Sequence, residues 1–176
     1  MHAVEADIRK WSKDFLEVPS ETLGGLPPCP YAKQAWLEDK VKFSINTDID
    51  ELVKEIKEFD THSYDIVVWA SELLPDVQYL DGFCDGMNEA LAIGNQDIHL
   101  MVFHPDYDAN DAGLEFLINE DVTDSSLTYC MVFVQRLSLL DDASVSLAKT
   151  GYYRHFPEEV YNSLVLHRRS LRHGNG

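Results

Sequence analysis

The chain has few basic residues, few cysteines and no long hydrophobic run. Only 14 Lys and Arg stand against 31 Asp and Glu, and the net charge of -17 disfavours binding to nucleic acid or to an anionic membrane. The three cysteines, Cys29, Cys84 and Cys130, are too few and too widely spaced for a disulfide framework or a zinc finger. No apolar run approaches the roughly 20 residues of a membrane span, and the charged N-terminus is unlike a signal peptide. We therefore expect a cytoplasmic protein that binds neither nucleic acid nor membrane.

Familiar catalytic motifs are missing as well. The sequence has no glycine-rich phosphate loop, no His-Glu-x-x-His and no Gly-x-Ser-x-Gly. Cys29 does not begin a Cys-x-x-Cys motif, because Ala32 stands where the second cysteine of the motif would be. The acidic loop that begins at Asp106 fits a calcium loop poorly, because Leu117 occupies the place of the required Glu. No motif therefore names a reaction.

The composition that is present is that of one folded domain. With 176 residues and 45% hydrophobic residues, the chain suits a single domain over 1–176. Apolar spacing predicts strands over 41–45, 65–70 and 98–103, and helices over 6–18, 30–39, 48–59, 80–93, 129–149 and 157–172. The alternation of strands and helices predicts an α/β (or α+β) fold: a small three- to four-stranded sheet with crossover helices and helical N- and C-terminal segments.

Cys29 lies in the turn Pro27-Pro28-Cys29-Pro30-Tyr31-Ala32, just before the helix predicted to begin at Pro30. Free backbone N–H groups at the start of a helix favour a thiolate and lower the pKa of a cysteine there. This position makes Cys29 a candidate nucleophile or soft metal ligand. The alternative is a small apolar residue packed beneath a proline-rich turn.

His104 lies in Phe103-His104-Pro105-Asp106-Tyr107, directly after the third predicted strand, where sites of α/β sheets form. Histidine suits proton transfer near neutral pH, and Asp106 could orient the ring. A Cys-His-Asp nucleophilic site uses the same residue types as a site for one transition metal ion with Cys29, His104 and Asp106 as ligands. Spacing does not separate these two chemistries, and a structural histidine is a third alternative.

Two further features bear on a site. Arg136 lies among apolar residues of the predicted late helix, where a cation needs a partner. It is a candidate anchor for a carboxylate or phosphate of a substrate, and an internal salt bridge is the alternative. The acidic segment 107–126 is too long for a simple connection, so we interpret it as a lid or binding loop. The basic run 167–173 is interpreted as complementing the dipole of its own helix.

Trp11, the Cys29 turn and the motif around His104 together resemble an uncharacterised bacterial family, domain of unknown function 1415. Its members have a Trp-containing first helix, a Leu-Cys-Pro-Phe-Ala turn and a strand that ends in Phe-His-Pro-Asp-Tyr. The chain departs from the family in two places: a His-Pro pair is replaced within Trp69-Ala70-Ser71-Glu72, and an Asn-Arg-Ser-Pro stretch by Asp124-Ser125-Ser126-Leu127. The resemblance strengthens Cys29 and His104 as a pair and implies no reaction.

The leading hypothesis is an enzyme that acts on a small-molecule substrate. Cys29 is its nucleophile or soft ligand, His104 its acid-base group or ligand, Asp106 the orienting group and Arg136 the anion anchor. The alternatives are a non-catalytic acidic protein that docks a basic protein partner and a metal-binding accessory protein. The enzyme hypothesis requires Cys29 and His104 to share one pocket that solvent can reach.

Overall fold

The computed structural model describes residues 3–45, 48–106 and 129–173. The α-helices are α1 (Ala3–Trp11), α2 (Ala32–Leu37), α3 (Ile49–Glu58), α4 (Val77–Ile93), α5 (Leu137–Ala148), α6 (Glu158–Tyr161) and α7 (Arg168–His173). The strands are β1 (Val41–Ile45), β2 (Ile66–Ser71), β3 (His99–Phe103) and β4 (Cys130–Gln135). Short π- and 3-10-helical segments cover Ser12–Leu16, Glu21–Leu23, Phe59–Thr61 and Asn162–His167.

The strands form one mixed four-stranded sheet in the order β1-β2-β4-β3. β1 and β2 are parallel, and β4 runs antiparallel to both of its neighbours, β2 and β3. Helices connect β1 to β2 and β2 to β3. The predicted α/β fold with a three- to four-stranded sheet is confirmed.

Side-chain caps begin two of the helices that connect the strands. The carboxylate of Asp48 accepts the Glu51 N–H at 3.0 Å at the start of α3, and the carboxylate of Asp76 accepts the Tyr79 N–H at 2.9 Å at the start of α4. A carboxylate at this position satisfies an N–H that has no partner within the helix and favours the positive end of the dipole. Asp48 is therefore the N-cap of the helix predicted over 48–59.

The helix predicted over 129–149 is wrong in its first part, because Cys130–Gln135 forms β4 and the helix begins only at Leu137. All six residues of β4 are buried. β4 lies inside the sheet and both of its faces are covered, so its sequence is apolar at nearly every position and lacks the alternation of a half-exposed strand. A short continuous apolar run does not distinguish a buried strand from a buried helix, and Val132 and Val134 favour the strand.

Each face of the sheet is covered by its own helices. On one side, which we call the α4 face, α3 and α4 pack against Trp69, Leu100 and Val132. On the other side, the α1 face, α1 and α2 pack against Val68 and Met131. Successive residues of a strand point to opposite faces, so Trp69 and its neighbour Val68 belong to different clusters. In the described part of the chain, no helix is both long and apolar enough to cross a membrane.

Asn88 of α4 protects the edge strand β3. Its side-chain oxygen accepts the Leu100 N–H at 2.7 Å, and its amide nitrogen donates to the Leu100 carbonyl at 3.0 Å. Asn88 is buried. The amide thus takes the place that a further strand would occupy, so the polar backbone of Leu100 is satisfied at an exposed edge of the sheet.

Asp141 of α5 binds the C-terminal helix. Its carboxylate accepts hydrogen bonds from Arg169 at 2.9 Å and Arg172 at 3.0 Å, and lies 3.2 Å from the Nε2 atom of His173. Arg172 also pairs with Asp142 at 2.7 Å. Much of the basic run at the end of the chain is therefore engaged by two neighbouring carboxylates of α5.

Candidate functional site

Cys29 lies in a turn three residues before the first residue of α2, Ala32. Its N–H donates to the Leu16 carbonyl at 3.0 Å, and its own carbonyl accepts the Ala32 N–H at 3.1 Å. The side chain packs against the apolar cluster on the α1 face. Burial raises the pKa of the Cys29 thiol, and hydrogen bonding by the backbone at Tyr31 and Ala32 offsets that rise only in part. The lowered pKa that the sequence suggested is therefore wrong, because desolvation outweighs the helix terminus.

His104 is 5% exposed, and backbone groups engage both of its ring nitrogens. The Asp106 N–H donates to Nδ1 at 3.1 Å, and Nε2 lies 2.8 Å from the Pro75 carbonyl. Since Nδ1 accepts a hydrogen bond, the proton of the neutral ring is on Nε2 and is donated to Pro75. While these bonds persist, His104 has no nitrogen free for a metal ion or for a substrate proton.

Asp106 orients His104 through its backbone. The Asp106 carboxylate is 71% exposed and lies 4.0 Å from Nδ1 of His104, whereas the Asp106 N–H makes the hydrogen bond to that nitrogen. An exposed carboxylate at this distance contributes little. Asp106 and His104 are thus in contact. The group of Asp106 that orients the His104 ring is the backbone N–H, and not the carboxylate to which the sequence assigned this role.

The sheet separates Cys29 from His104. Phe103 packs on the α1 face and Val102 on the α4 face, so the alternation of side chains carries His104 to the α4 side. There it meets Pro75, in the connection from β2 to α4. Cys29 packs on the α1 face. The two residues that carried the sequence hypothesis do not share a pocket in the described part of the chain.

Arg136 lies at the opposite end of the sheet from His104. It follows Gln135, which pairs with Ile66 and His99, the first residues of β2 and β3. Its guanidinium pairs with Asp60 and lies 4.9 Å from the centre of the Phe59 ring. Of the two interpretations offered by the sequence, the internal salt bridge is the one found in the structure.

The tentative metal site finds no support in the described residues. Among them, no group of three or more His, Cys, Asp or Glu side chains lies close enough to hold a metal ion. Cys29 is on the other face of the sheet from His104, and His104 uses both ring nitrogens for backbone groups. These residues do not fit a transition metal ion. The segment 107–126, interpreted as a lid or binding loop, lies outside the described residues.

If the β3–β4 register is extended by one residue, Cys130, rather than Cys29, lies opposite His104. Ser71 pairs with Cys130 across the sheet, and Phe103, which precedes His104, pairs with Met131, which follows Cys130. Ser71, Cys130 and His104 therefore form a row on the α4 face at the carboxyl ends of β2 and β3. Sequence reasoning missed this row because the region around Cys130 was assigned to a helix.

The residues of this row are buried, and one of their polar atoms lacks a hydrogen-bond partner in the described part of the chain. The Cys130 thiol donates to two carbonyls, that of Ser71 at 3.8 Å and that of Leu73 at 3.6 Å. Burial raises the pKa of this thiol, and hydrogen bonds with Ser71 oppose the rise. The Ser71 hydroxyl has no hydrogen-bond partner that meets normal geometry among the described residues. The arrangement favours a protonated thiol.

An open depression of about 420 Å³ lies at the C-terminal side of the domain. Tyr152, which stands between the lining residues Gly151 and Tyr153 in the sequence, donates from its hydroxyl to the Pro28 carbonyl at 2.6 Å. The signal in the sequence was the aromatic density of 152–161. The depression is lined by Ala148, Gly151, Tyr153, Arg154, Phe156, Glu158 and Tyr161.

Comparisons with family models, with curated proteins and with solved structures gave no match to this chain. The resemblance to domain of unknown function 1415 therefore stays a prediction that rests on the motifs around Cys29 and His104.

We expect all three cysteines of the native protein to react with iodoacetamide at least about tenfold more slowly than free cysteine near pH 7.5, because the thiolate is the reactive form. Burial raises the pKa of Cys29 and Cys130, and raises that of Cys84 to about 12. Mass spectrometry of the alkylated peptides gives the rate at each position. In guanidinium chloride all three thiols should react like free cysteine. A native rate at Cys29 or Cys130 as fast as that of free cysteine would contradict this prediction.

Proposed function

We propose that this protein is a non-catalytic acidic protein that docks a basic partner protein through the side formed by α4. The observation that carries the proposal is the distribution of charge along the chain. From Phe59 to Gln135 the sequence has no Lys or Arg and fifteen Asp and Glu. Nine of these acids lie in the described part of the stretch, which supplies β2, α4, β3 and β4. A surface with charges of one sign attracts a partner of the opposite sign and accelerates their encounter.

Acidic side chains follow one another along α4. Asp81, Asp85 and Glu89 are four residues apart and so lie on one side of the helix. Desolvation raises the pKa of Asp85, and the charges of Asp81 and Glu89 raise it further, while His167 opposes them. Like charges at this spacing destabilise a helix. A basic partner would relieve the repulsion, so the free energy of docking includes that relief.

Exposed apolar side chains adjoin the acidic helix. Leu73 is 63% exposed and Leu74 47% in the connection from β2, and Tyr79 in the first turn of α4 is 57% exposed. Protein interfaces commonly combine an apolar or aromatic centre with a polar rim. The partner that fits is therefore an amphipathic segment that carries Lys or Arg beside a few apolar side chains.

The cytoplasm is the proposed compartment. Cys29, Cys84 and Cys130 are all free thiols in the structure. Free cysteines in place of disulfides are the usual state in a reducing compartment.

A thiol-dependent enzyme acting on a small-molecule substrate is the second candidate. One observation favours it: the strand register brings Cys130 and His104 to the same end of the sheet, at the carboxyl ends of β2 and β3. This function requires His104 to release Pro75 and Asp106 before the ring can accept a thiol proton. The alkylation rates separate the candidates, since a catalytic Cys130 would react fast in the native protein and a packed Cys130 would not.

We expect the substitutions Asp81→Asn, Asp85→Asn and Glu89→Gln, made together, to weaken binding of a basic amphipathic peptide about tenfold, since each removes roughly 0.5 kcal/mol of attraction. The probe is a labelled peptide of about 20 residues with Lys on one face and Leu on the other, and fluorescence anisotropy measures its dissociation constant. Because screening weakens exposed charges, added salt should weaken binding to the parent protein more than to the variant.

The matched control for the α4 variant changes three exposed acids elsewhere, Glu21→Gln, Glu38→Gln and Asp50→Asn, and so alters the net charge equally. Binding to this variant should stay within about twofold of the parent. Equal weakening by both sets would show attraction by net charge alone and would overturn docking at α4. A parent protein that fails to bind the peptide would contradict the proposed function itself.

A further inference from the structure

Aromatic rings form a fixed wall of the 420 Å³ depression. The ring of Tyr153 lies 4.9 Å from that of Phe156 and 5.2 Å from that of Tyr161, and both pairs meet edge to face. Burial raises the pKa of Tyr153, so its phenol is neutral near pH 7. The wall thus offers the faces and edges of uncharged aromatic rings to a ligand.

Opposite charges line this depression without pairing with each other. Arg154 and Glu158 both border it, and in the described part of the chain no carboxylate lies within 4.0 Å of the Arg154 guanidinium. Arg9, Arg136 and Arg172, by contrast, all have carboxylate partners.

Two arginines lie behind the aromatic wall, and one of them, Arg169, pairs with Asp141. Arg168 and Arg169 both lower the pKa of the Tyr153 phenol, against the rise caused by burial. Arg168 is 8% exposed, and its Nε atom has no hydrogen-bond partner among the described residues. Glu158 is the acid that lines the depression. The lining of the depression therefore offers one cationic side chain, Arg154, and one anionic side chain, Glu158.

We propose that this depression binds a free α-amino acid with an aromatic or large apolar side chain. The α-carboxylate pairs with Arg154, as guanidinium and carboxylate geometry favours. The α-ammonium group lies between Glu158 and the faces of Tyr153 and Tyr161, where a cation is attracted by both the charge and the rings. The ligand side chain packs against the aromatic wall. The volume of about 420 Å³ falls in the usual range of small-molecule sites.

The test uses L-phenylalanine as the probe, with chemical-shift changes in NMR spectra of the full chain as the measurement. We expect saturable binding by L-phenylalanine, and binding at least about tenfold weaker for N-acetyl-L-phenylalanine, which lacks the ammonium group, and for phenethylamine, which lacks the carboxylate. Shifts should concentrate at Tyr153, Arg154 and Tyr161. No saturable shift up to about 10 mM L-phenylalanine would overturn the proposal, since that limit is weaker than any useful site.

Two variants test which charged side chain binds which charged group of the ligand. Arg154→Gln should weaken L-phenylalanine at least about tenfold and leave phenethylamine unchanged, whereas Glu158→Gln should weaken L-phenylalanine and leave N-acetyl-L-phenylalanine unchanged. Lys149→Gln is the control, because it removes one exposed positive charge near the depression without lining it. Equal weakening by Arg154→Gln and Lys149→Gln would contradict the site. The result is independent of the peptide experiment, which concerns α4.

Discussion

Replacement of Asp141 by Asn is expected to lower the free energy of unfolding by about 2–4 kcal/mol, because it removes a buried carboxylate and leaves Arg169 without its counter-charge. The Asp141 side chain is 5% exposed and accepts hydrogen bonds from Arg169 and Arg172. Asn keeps the shape and loses the charge. Urea denaturation at pH 7, followed by circular dichroism, measures the change.

The pH dependence of this loss identifies the carboxylate as its cause. Burial alone would raise the pKa of Asp141, but hydrogen bonds from Arg169, His173 and Arg172 hold it below its ordinary value of 3.8. A folded-state pKa below the unfolded one stabilises the protein at pH values above the unfolded pKa, and this stability is lost as the pH falls through the folded pKa. The difference between parent and variant should stay constant above about pH 5 and shrink below about pH 4.

Asp142→Asn is the matched control for Asp141→Asn. The Asp142 carboxylate pairs with the same Arg172 but is 70% exposed. An exposed pair contributes little, so we expect a change below about 0.5 kcal/mol. Equal losses in the two variants would mean that burial of Asp141 is not what makes its ion pairs strong.

His104→Ala is expected to lower the free energy of unfolding by about 2–4 kcal/mol, because it removes a buried ring and leaves two backbone groups without partners. The ring is 5% exposed and connects the Pro75 carbonyl to the Asp106 N–H. Thermal and urea denaturation of the variant measure the loss.

Asp106→Ala is the control for His104→Ala. It keeps the N–H that donates to His104 and removes a carboxylate that is 71% exposed. We expect a change below about 0.5 kcal/mol. A His104→Ala variant as stable as the parent would argue against the structural role and would revive the thiol enzyme, in which His104 is present for its chemistry.

The regular elements could be predicted where a local signal specifies them. The strand over 41–45 is marked by its alternation of apolar and polar residues, and the helix that follows is marked by its cap, Asp48. A few neighbouring residues determine each of these signals. β4 could not be predicted in this way, because burial on both faces removes the period from Cys130–Gln135.

The site could be predicted only in part, for a different physical reason. His104 was correctly located after β3, since that follows from the strand itself. The face on which Cys29 packs depends on how the turn at 27–32 folds back over α1, and no spacing in the sequence encodes that path. Arg136 was expected to need a partner, but the choice of Asp60 among 31 acids is a tertiary contact between residues 76 positions apart.

Among the described strands β4 comes last along the chain, and yet it occupies an inner position of the sheet. Only β4 connects β2 to β3 by backbone hydrogen bonds in the described part of the chain. Before residues 130–135 have been synthesised, β1 and β2 can pair, but β3 has no neighbour in the sheet, and β2 and β3 both have open edges. Nascent chains at this stage are vulnerable to pairing with one another. The sheet is completed only when residues 130–135 emerge, so we expect its four strands to fold as one cooperative unit.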